Sequence, residues 1–444
     1  MRYLTGALFF LIAGLPYLAM LWTGGRQAEA PVPASAEVLT IISPHRREVR
    51  LEYTRGFRAW MQTRHDRAVD IRWLDVGGTS KILKELESRF AARPDAPGVD
   101  LLFGGGVAPY LTATQHGWLD RVAIPPAVLT NVPPLCAGAP VYDPAGRWYG
   151  VALSGFGILY NRPLVERLRL PVPVDWEDLG RPVYFSWIGS GDPRSSGSVH
   201  TCYEIILQAY GFEAGWSLIT RLCANVRTFG EAGGSVPRDV AAGDIAAGMV
   251  IDQYAQTVID AVGRDLLVFV LPQRHTMIGP DSIALVRGAE HAELGRLFME
   301  YALSAEGQRL LYQPVGVDGQ HSALCRMPVV EALYRAPHAP AVNPYTLPAG
   351  FLYDEAKGSR RWDMLNDLLG VWLIDAHTDL RRAWQRTIAA GATPDRVARL
   401  CAPPLAESEL AALAAVWKDS RQKQAVLRRW ALEARERYRQ VAEE

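Results

Sequence analysis

The sequence predicts an α/β protein built from two lobes, each a mainly parallel sheet flanked by helices, with hinge crossovers between them and a long C-terminal helix. Three observations carry that expectation. The chain opens with three strand–loop–helix units in a row, its pattern then changes over "GRWYGVALSGFGILYNRPLVERL", and it later returns through "LLVFVLP" and "DSIALVRGA". Repeated strand–loop–helix units place strands side by side in parallel, and paired return crossings make two lobes rather than one.

The first unit is "EVLTIISPHRREVRLEYTRGFRAWMQTR": Leu39 to Ile42 are apolar and β-prone, Ser43-Pro44 turn the chain, and Val49, Tyr53, Phe57 and Trp60 recur at helical spacing. "VDIRWLDVGGTSKILKELESRFAAR" repeats the pattern around Gly77-Gly78-Thr79-Ser80, and "GVDLLFGGGVAPYLTATQHGWL" repeats it around Gly104-Gly105-Gly106. The change of pattern reads as two short strands, Trp148 to Leu153 and Ile158 to Asn161, leading into the second lobe. The resulting division is a leader with its linker over 1–36, lobe 1 over 37–145, lobe 2 over 146–265 and a return to lobe 1 over 266–336. A helical segment over 337–400 and an amphipathic helix over 401–444 complete the chain, the latter with Leu410, Leu413, Val416 and Trp417 on one stripe.

The leader is the uncharged run "YLTGALFFLIAGLPYLAMLW", Tyr3 to Trp22, long enough to span a bilayer. It reads as a signal peptide or an uncleaved anchor. The cleavage candidates, Ala28-Glu29-Ala30 before Pro31 and Ala34-Ser35-Ala36, are poor, so an inner-membrane tether is favoured over release, with the bulk of the protein in the periplasm.

Of the 444 residues 49% are hydrophobic and 21% charged, enough for a packed core. Lys+Arg and Asp+Glu both number 47, so no global basic field attracts nucleic acid, and any recognition of an anion is local. Five cysteines without C-x-x-C exclude a zinc ribbon and a thioredoxin-like motif. H-E-x-x-H, G-x-S-x-G and G-x-x-x-x-G-K-[ST] are absent as well, which counts against the commonest hydrolase and nucleotide-binding classes.

The candidate site residues sit at strand ends, where ligands bind in open α/β sheets. Thr79 and Ser80 follow two glycines at a helix start, and Ser195, Ser196 and Ser198 do the same in "SGDPRSSGSVH". Unpaired N–H groups and the positive dipole end make such a start an anion site; the competing reading is that each hydroxyl merely caps its own helix. Ser43 and Gly105, in the other two turns, join the set. Asp252, Gln253 and Tyr254 emerge from the strand in "VIDQYAQT", and Asp281 opens "DSIALV". His45, His200 and His275 lie on separate loops without metal-ligand spacing, and Trp73, Trp148 and Trp187 read as packing before sugar platforms. Cys202 and Cys223 lie in consecutive helices, equidistant from the turn "GFEAG"; in an oxidising compartment this spacing predicts a disulfide, with Cys136, Cys325 and Cys401 unassigned.

"DSIALVRGAEHAELGRLFMEYALSAEGQRLL" resembles the closing segment of bacterial periplasmic solute-binding proteins of ABC importers. "DPRSSG" before a helix and "AAGMVIDQYA" are similar to the ferric-ion and phosphorylated-solute branch of that family, and the resemblance covers roughly 38–336. It implies a two-lobe periplasmic-binding-protein fold, type II-like, and a non-enzymatic receptor that closes on a small solute and presents it to an ABC permease and ATPase, or to a sensor kinase. No cofactor is expected. The serine loop would feed donors into the cleft, and the solute would be a phosphorylated or phosphonate-bearing organic anion. The alternative ligand is ferric iron, through Tyr254 with Asp252, although the family's adjacent tyrosine pair is reduced here to Gln253-Tyr254. An exported phosphate-handling hydrolase is the rival from another class.

Overall fold

The computed structural model describes residues 35–231, 233–272, 274–340, 342–347 and 351–444; the Tyr3–Trp22 run, with its signal or anchor reading, lies outside the described residues, as does the Ser80 side chain. Among the described residues no helix is long and apolar enough to cross a membrane.

The strands are β1 (Glu37–Ile42), β2 (Val69–Leu74), β3 (Leu101–Phe103), β4 (Leu135–Cys136), β5 (Ala139–Pro140), β6 (Tyr149–Asn161), β7 (Ile188–Gly191), β8 (Val226–Gly230), β9 (Ala247–Ile251), β10 (Leu267–Val270), β11 (Ile278–Leu285) and β12 (Met327–Pro328). Apart from the β4–β5 hairpin they form one continuous sheet in the order β2-β1-β3-β11-β6-β9-β7-β8, with β10 and β12 also paired to β6. The three opening units place β2, β1 and β3 parallel in lobe 1, and β9, β7 and β8 are likewise parallel in lobe 2. Antiparallel β11 and β6 sit between the two triplets.

The expected pair of short strands at Trp148–Asn161 is a single strand, β6. Its first half pairs with β11, down to Gly155 opposite Ile278, and its second half pairs with β9, from Phe156 opposite Ile251. β6 therefore runs from the β11 side of the sheet to the β9 side without interruption, and the return crossing runs from β10 to β11. Gly157 does not break the strand, because close approach of the neighbouring backbone requires it: a Cβ there would lie 2.1 Å from the Val270 carbonyl oxygen.

The C-terminus also departs from expectation. The apolar stripe lies on a short helix, Glu407–Ala412, and a 3-10 turn, Val416–Lys418, before a separate helix, Ser420–Glu443. Asp419 starts the last helix by accepting from the N–H groups of Arg421 (2.8 Å) and Gln422 (3.0 Å), a side-chain cap that favours a new start over continuation. Trp430, Ala434, Tyr438 and Val441 then bury one face of that helix. Together with helices Glu355–Leu369 and His377–Ala389 they share a single apolar core with lobe 2, including Trp176, Trp216 and Leu222. The last ninety residues are thus an outgrowth of lobe 2, not a tail.

The expected Cys202–Cys223 bond is absent, and all five cysteines are free thiols. The two helices do pack as a hairpin, but their rotation brings Tyr203 to Cys223, with the hydroxyl 3.4 Å from the sulfur. Cys202 lies one position round the helix, buried in the same core.

Candidate binding cleft

A cleft of about 980 Å³ opens between the lobes, at the strand ends where the glycine- and serine-rich turns predict it. Helices that begin at this cleft include Arg47–His65, Thr79–Ala92 and Ala108–Gln115 from lobe 1, and Gly197–Ala209 and Asp252–Val262 from lobe 2. Their N-cap residues are Arg46, Gly78, Val107, Ser196 and Ile251, and none makes a side-chain cap hydrogen bond, although Asp252 accepts from the Gln253 N–H within its own first turn. Elsewhere some helices are closed by a side chain, at Asn161, Ser304 and Asp419, and others, such as Ala292–Leu303 and His377–Ala389, are not. Helix starts without a protein acceptor present N–H donors and positive potential to whatever fills the space before them.

Of the expected site residues, Thr79, Gly105, Ser195, Ser196, Ser198, Gln253, Tyr254 and Asp281 line the cleft. Ser196 and Ser198 share a hydroxyl contact of 3.2 Å, leaving further hydrogen-bonding capacity on both. Ser195 is committed to backbone, bonding the carbonyls of Asp192 and Glu231. Ser43 drops out: it is fully buried, and its hydroxyl accepts from the His45 N–H at 3.1 Å. Asp252 also turns inward. Tyr254 lies across the cleft beneath the Arg46 guanidinium, 5.4 Å from its ring centroid, a cation–π contact between the two lobes. The Tyr254–Asp252 pairing for iron is therefore not assembled, and no cluster of three or more His, Cys, Asp or Glu capable of holding a metal occurs among the described residues.

Asp281 lines the cleft but is already engaged. Its carboxylate bonds the Arg326 guanidinium and accepts from the N–H groups of Gly105 (2.6 Å) and Gly106 (3.2 Å), while His45 Nε2 stands 2.8 Å away. Burial opposes its charge, yet Arg326 and His45 hold the carboxyl well below the usual range. Asp281 is thus an organiser that fixes the glycine turn, not a free acceptor for solute. Arg326, only 3% exposed, comes from the return segment and was invisible in the sequence pattern. Burial outweighs the Asp281 attraction at His45 and keeps that imidazole neutral.

The other histidines serve packing. His200 contacts Asn366, and burial lowers it to about 3; His275 Nδ1 meets Asp175 at 2.7 Å. The three tryptophans singled out in the sequence lie away from the cleft, whose lining tryptophans are Trp118, Trp362 and Trp417.

Asp252 sits where the lobes join. Burial raises its carboxyl to about 7, against the N–H groups of Gln253 and the β6 crossover residue Gly155, and its Oδ1 has no partner. An acid with a folded pKa above its unfolded value of about 4 contributes stability while protonated, and that contribution is lost as pH rises through about 7. Asp252→Asn is therefore expected to flatten this limb: the difference in melting temperature should move steadily in the variant's favour from pH 5 to about pH 7 and level off above it. A constant difference across that window would show that Asp252 is not the group responsible.

Residues 97–314 match the family model for bacterial extracellular solute-binding proteins. The phosphoglycerate transport regulatory protein PgtC of Salmonella typhimurium is 33% identical over 161 residues, 36% of this chain and 40% of that protein, so the match spans well under half of the relative. The periplasmic binding protein AfuA of Actinobacillus pleuropneumoniae, solved with fructose-6-phosphate, superposes with a TM-score of 0.59 at 19% identity, covering 79% of this chain and 98% of AfuA. Iron-bound HitA of Pseudomonas aeruginosa gives 0.57 at 18% identity, covering 75% and 99%. At these identities the two structures show the fold alone. Both the matched family and the structural neighbours are solute-binding proteins, not enzymes.

Proposed function

We propose, from the match of residues 97–314 to the model for bacterial extracellular solute-binding proteins, that this protein is an extracytoplasmic receptor that clamps a phosphorylated or phosphonate-bearing organic anion between its lobes. The observation that carries this reading is the convergence on a single cleft of helix starts from both lobes, at Thr79 and Ala108 on one side and Gly197 on the other, none of them closed by a side-chain cap. A volume of about 980 Å³ also suits an organic molecule, lying near the top of the roughly 300–1,000 Å³ range of small-ligand sites. Closure is hinge bending about the crossover in β6 and its return from β10 to β11. The domain boundaries proposed are those of this hinge, with residues beyond 336 belonging to lobe 2. Delivery to the periplasm, with or without a tether at the inner membrane, is part of the proposal, as is handover to an ABC permease and ATPase.

The decisive experiment replaces one hydroxyl per lobe. Hydrogen bonds to a charged group contribute roughly 1.5–3 kcal/mol, and about 1.4 kcal/mol is tenfold in affinity. Because Ser196 makes no cap hydrogen bond, Ser196→Ala should leave melting temperature close to the parent's and weaken solute binding about tenfold or more. Thr79→Ala should behave alike. The panel is phosphorylated sugars, phosphoglycerates, phosphonates and ferric citrate; unchanged affinity in both variants for whichever compound binds the parent would refute the clamp.

The match to a protein named for transport regulation favours a second reading, a solute-sensing input subunit. Uptake of labelled solute in cells lacking the receptor separates the two. Lost uptake with transporter subunits still produced supports transport, and lost induction of those subunits supports sensing.

A further inference from the structure

We infer that the C-terminal extension positions the serine loop, so that solute affinity is set in part from outside the cleft: Asp375 and Asn366 act through Arg194 and Pro193 on Ser196 and Ser198. This rests on the clamp reading above and adds the segment that tunes it. Neither Asp375 nor Asn366 lines the cleft, and both lie beyond residue 314, where the family match ends.

On one side the loop is anchored to the sheet. The Asp192 N–H donates to the Gly230 carbonyl at 3.0 Å, and the Ser195 hydroxyl bonds that of Glu231. Its other side is held by the extension. The Arg194 guanidinium is gripped between two carboxylates, Asp192 within the loop and Asp375 of the extension. Both terminal nitrogens reach Asp375, at 2.8 and 2.9 Å, and a two-pronged pair of this kind fixes direction as well as distance. Arg194 also lies against Gly370 of the extension, where a Cβ would fall 2.6 Å from its Nε. With its amide oriented to satisfy every neighbour, buried Asn366 donates to the Pro193 carbonyl (3.2 Å) and to His200 Nδ1 (2.7 Å), and accepts from Trp362 Nε1 (3.1 Å). The Trp362 and His200 ring centres are 3.6 Å apart.

Ser196 and Ser198 thus have a tie on each side, Pro193 and Arg194 before them and His200 after them. The extension is itself rooted in lobe 2, where Arg361 and the fully buried Glu204 bond at 2.7 and 2.9 Å. A loop already held in its binding geometry loses less conformational freedom when solute arrives, and that difference appears as affinity. Losing a tie therefore weakens binding although both hydroxyls remain.

The test uses the full chain, reading hydrogen exchange of the free protein and its titration with inorganic phosphate. Asp375→Asn removes the charge that holds Arg194; Gly370→Ala displaces the guanidinium by contact while favouring helical backbone. Each should quicken exchange over residues 192–200 and leave the Thr79 turn and the melting temperature close to the parent's. Each should weaken phosphate about threefold to fivefold, a modest loss because the Arg194 and Asp375 side chains are 33% and 46% exposed. Adding Asp375→Asn to Arg194→Gln should weaken phosphate no further than Arg194→Gln alone, since the aspartate acts through the arginine. Unchanged loop exchange overturns the inference, and so does exchange that rises evenly over lobe 2 with a falling melting temperature. Unchanged phosphate affinity in the single variants, or additive losses in the double one, overturn it as well. A parent that binds no phosphate while loop exchange still quickens in the variants refutes the anion clamp and leaves the positioning of the loop standing.

Discussion

Arg326→Met is expected to destabilise the protein by about 3–5 kcal/mol and to abolish solute binding. The guanidinium is buried against Asp281, and removing it leaves a carboxylate that is itself only 8% exposed. Breaking a buried pair in this way costs more than the pair contributes, because the remaining charge has lost both water and partner. Binding fails for a separate reason: Asp281 holds the Gly105 and Gly106 N–H groups that shape the lobe 1 turn. His45, 2.8 Å from Asp281, sets the pH dependence. Without Arg326 it gains by protonating, so the loss of stability should be smaller at pH 5 than at pH 8. Chemical unfolding at both values checks this. A variant within about 0.5 kcal/mol of the parent would mean that the pair is solvated.

Glu204→Ala should be nearly as severe, at about 3 kcal/mol or more. Glu204 is fully buried under the extension and accepts from Arg361 through two guanidinium nitrogens. Its loss leaves Arg361 with Glu407 alone, whose side chain is 37% exposed. The extension should then loosen from lobe 2, which limited proteolysis would report as early cleavage between the two, with the solute-binding fragment outlasting the helices. Replacing both partners, Glu204→Leu with Arg361→Met, should recover much of the stability, since apolar residues of similar volume need no compensating charge. Parallel digestion of parent and single variant would show that another contact holds the extension.

The legible part of this molecule is local. Each opening strand and helix is readable because periods of two and 3.6 are written in neighbouring residues. Thr79, Gly105 and Ser196 can be placed at the cleft because a glycine- or serine-rich turn before a helix marks a strand end. Gly155 and Gly157 mislead for the same reason. Glycine in an apolar run reads as a break, but here it admits the Val270 carbonyl and Leu271 against a continuous strand. The stripe at Leu410–Trp417 reads as part of one long terminal helix, although the Asp419 cap starts a second.

By itself, then, the sequence determined the opening parallel strands and the helix starts, since both depend on hydrogen bonds and side-chain spacing within a few residues. Only the tertiary structure decided that Asp281 is spent on Arg326 and His45, partners 45 and 236 residues away. It alone turned Tyr203 rather than Cys202 toward Cys223, ran β6 as one strand from β11 to β9, and carried Arg360 and Trp362 from the extension to the cleft. Long-range contacts depend on helix rotation and on how lobes and extension dock. Those are set by the fit of whole apolar faces, which no short stretch of the chain records.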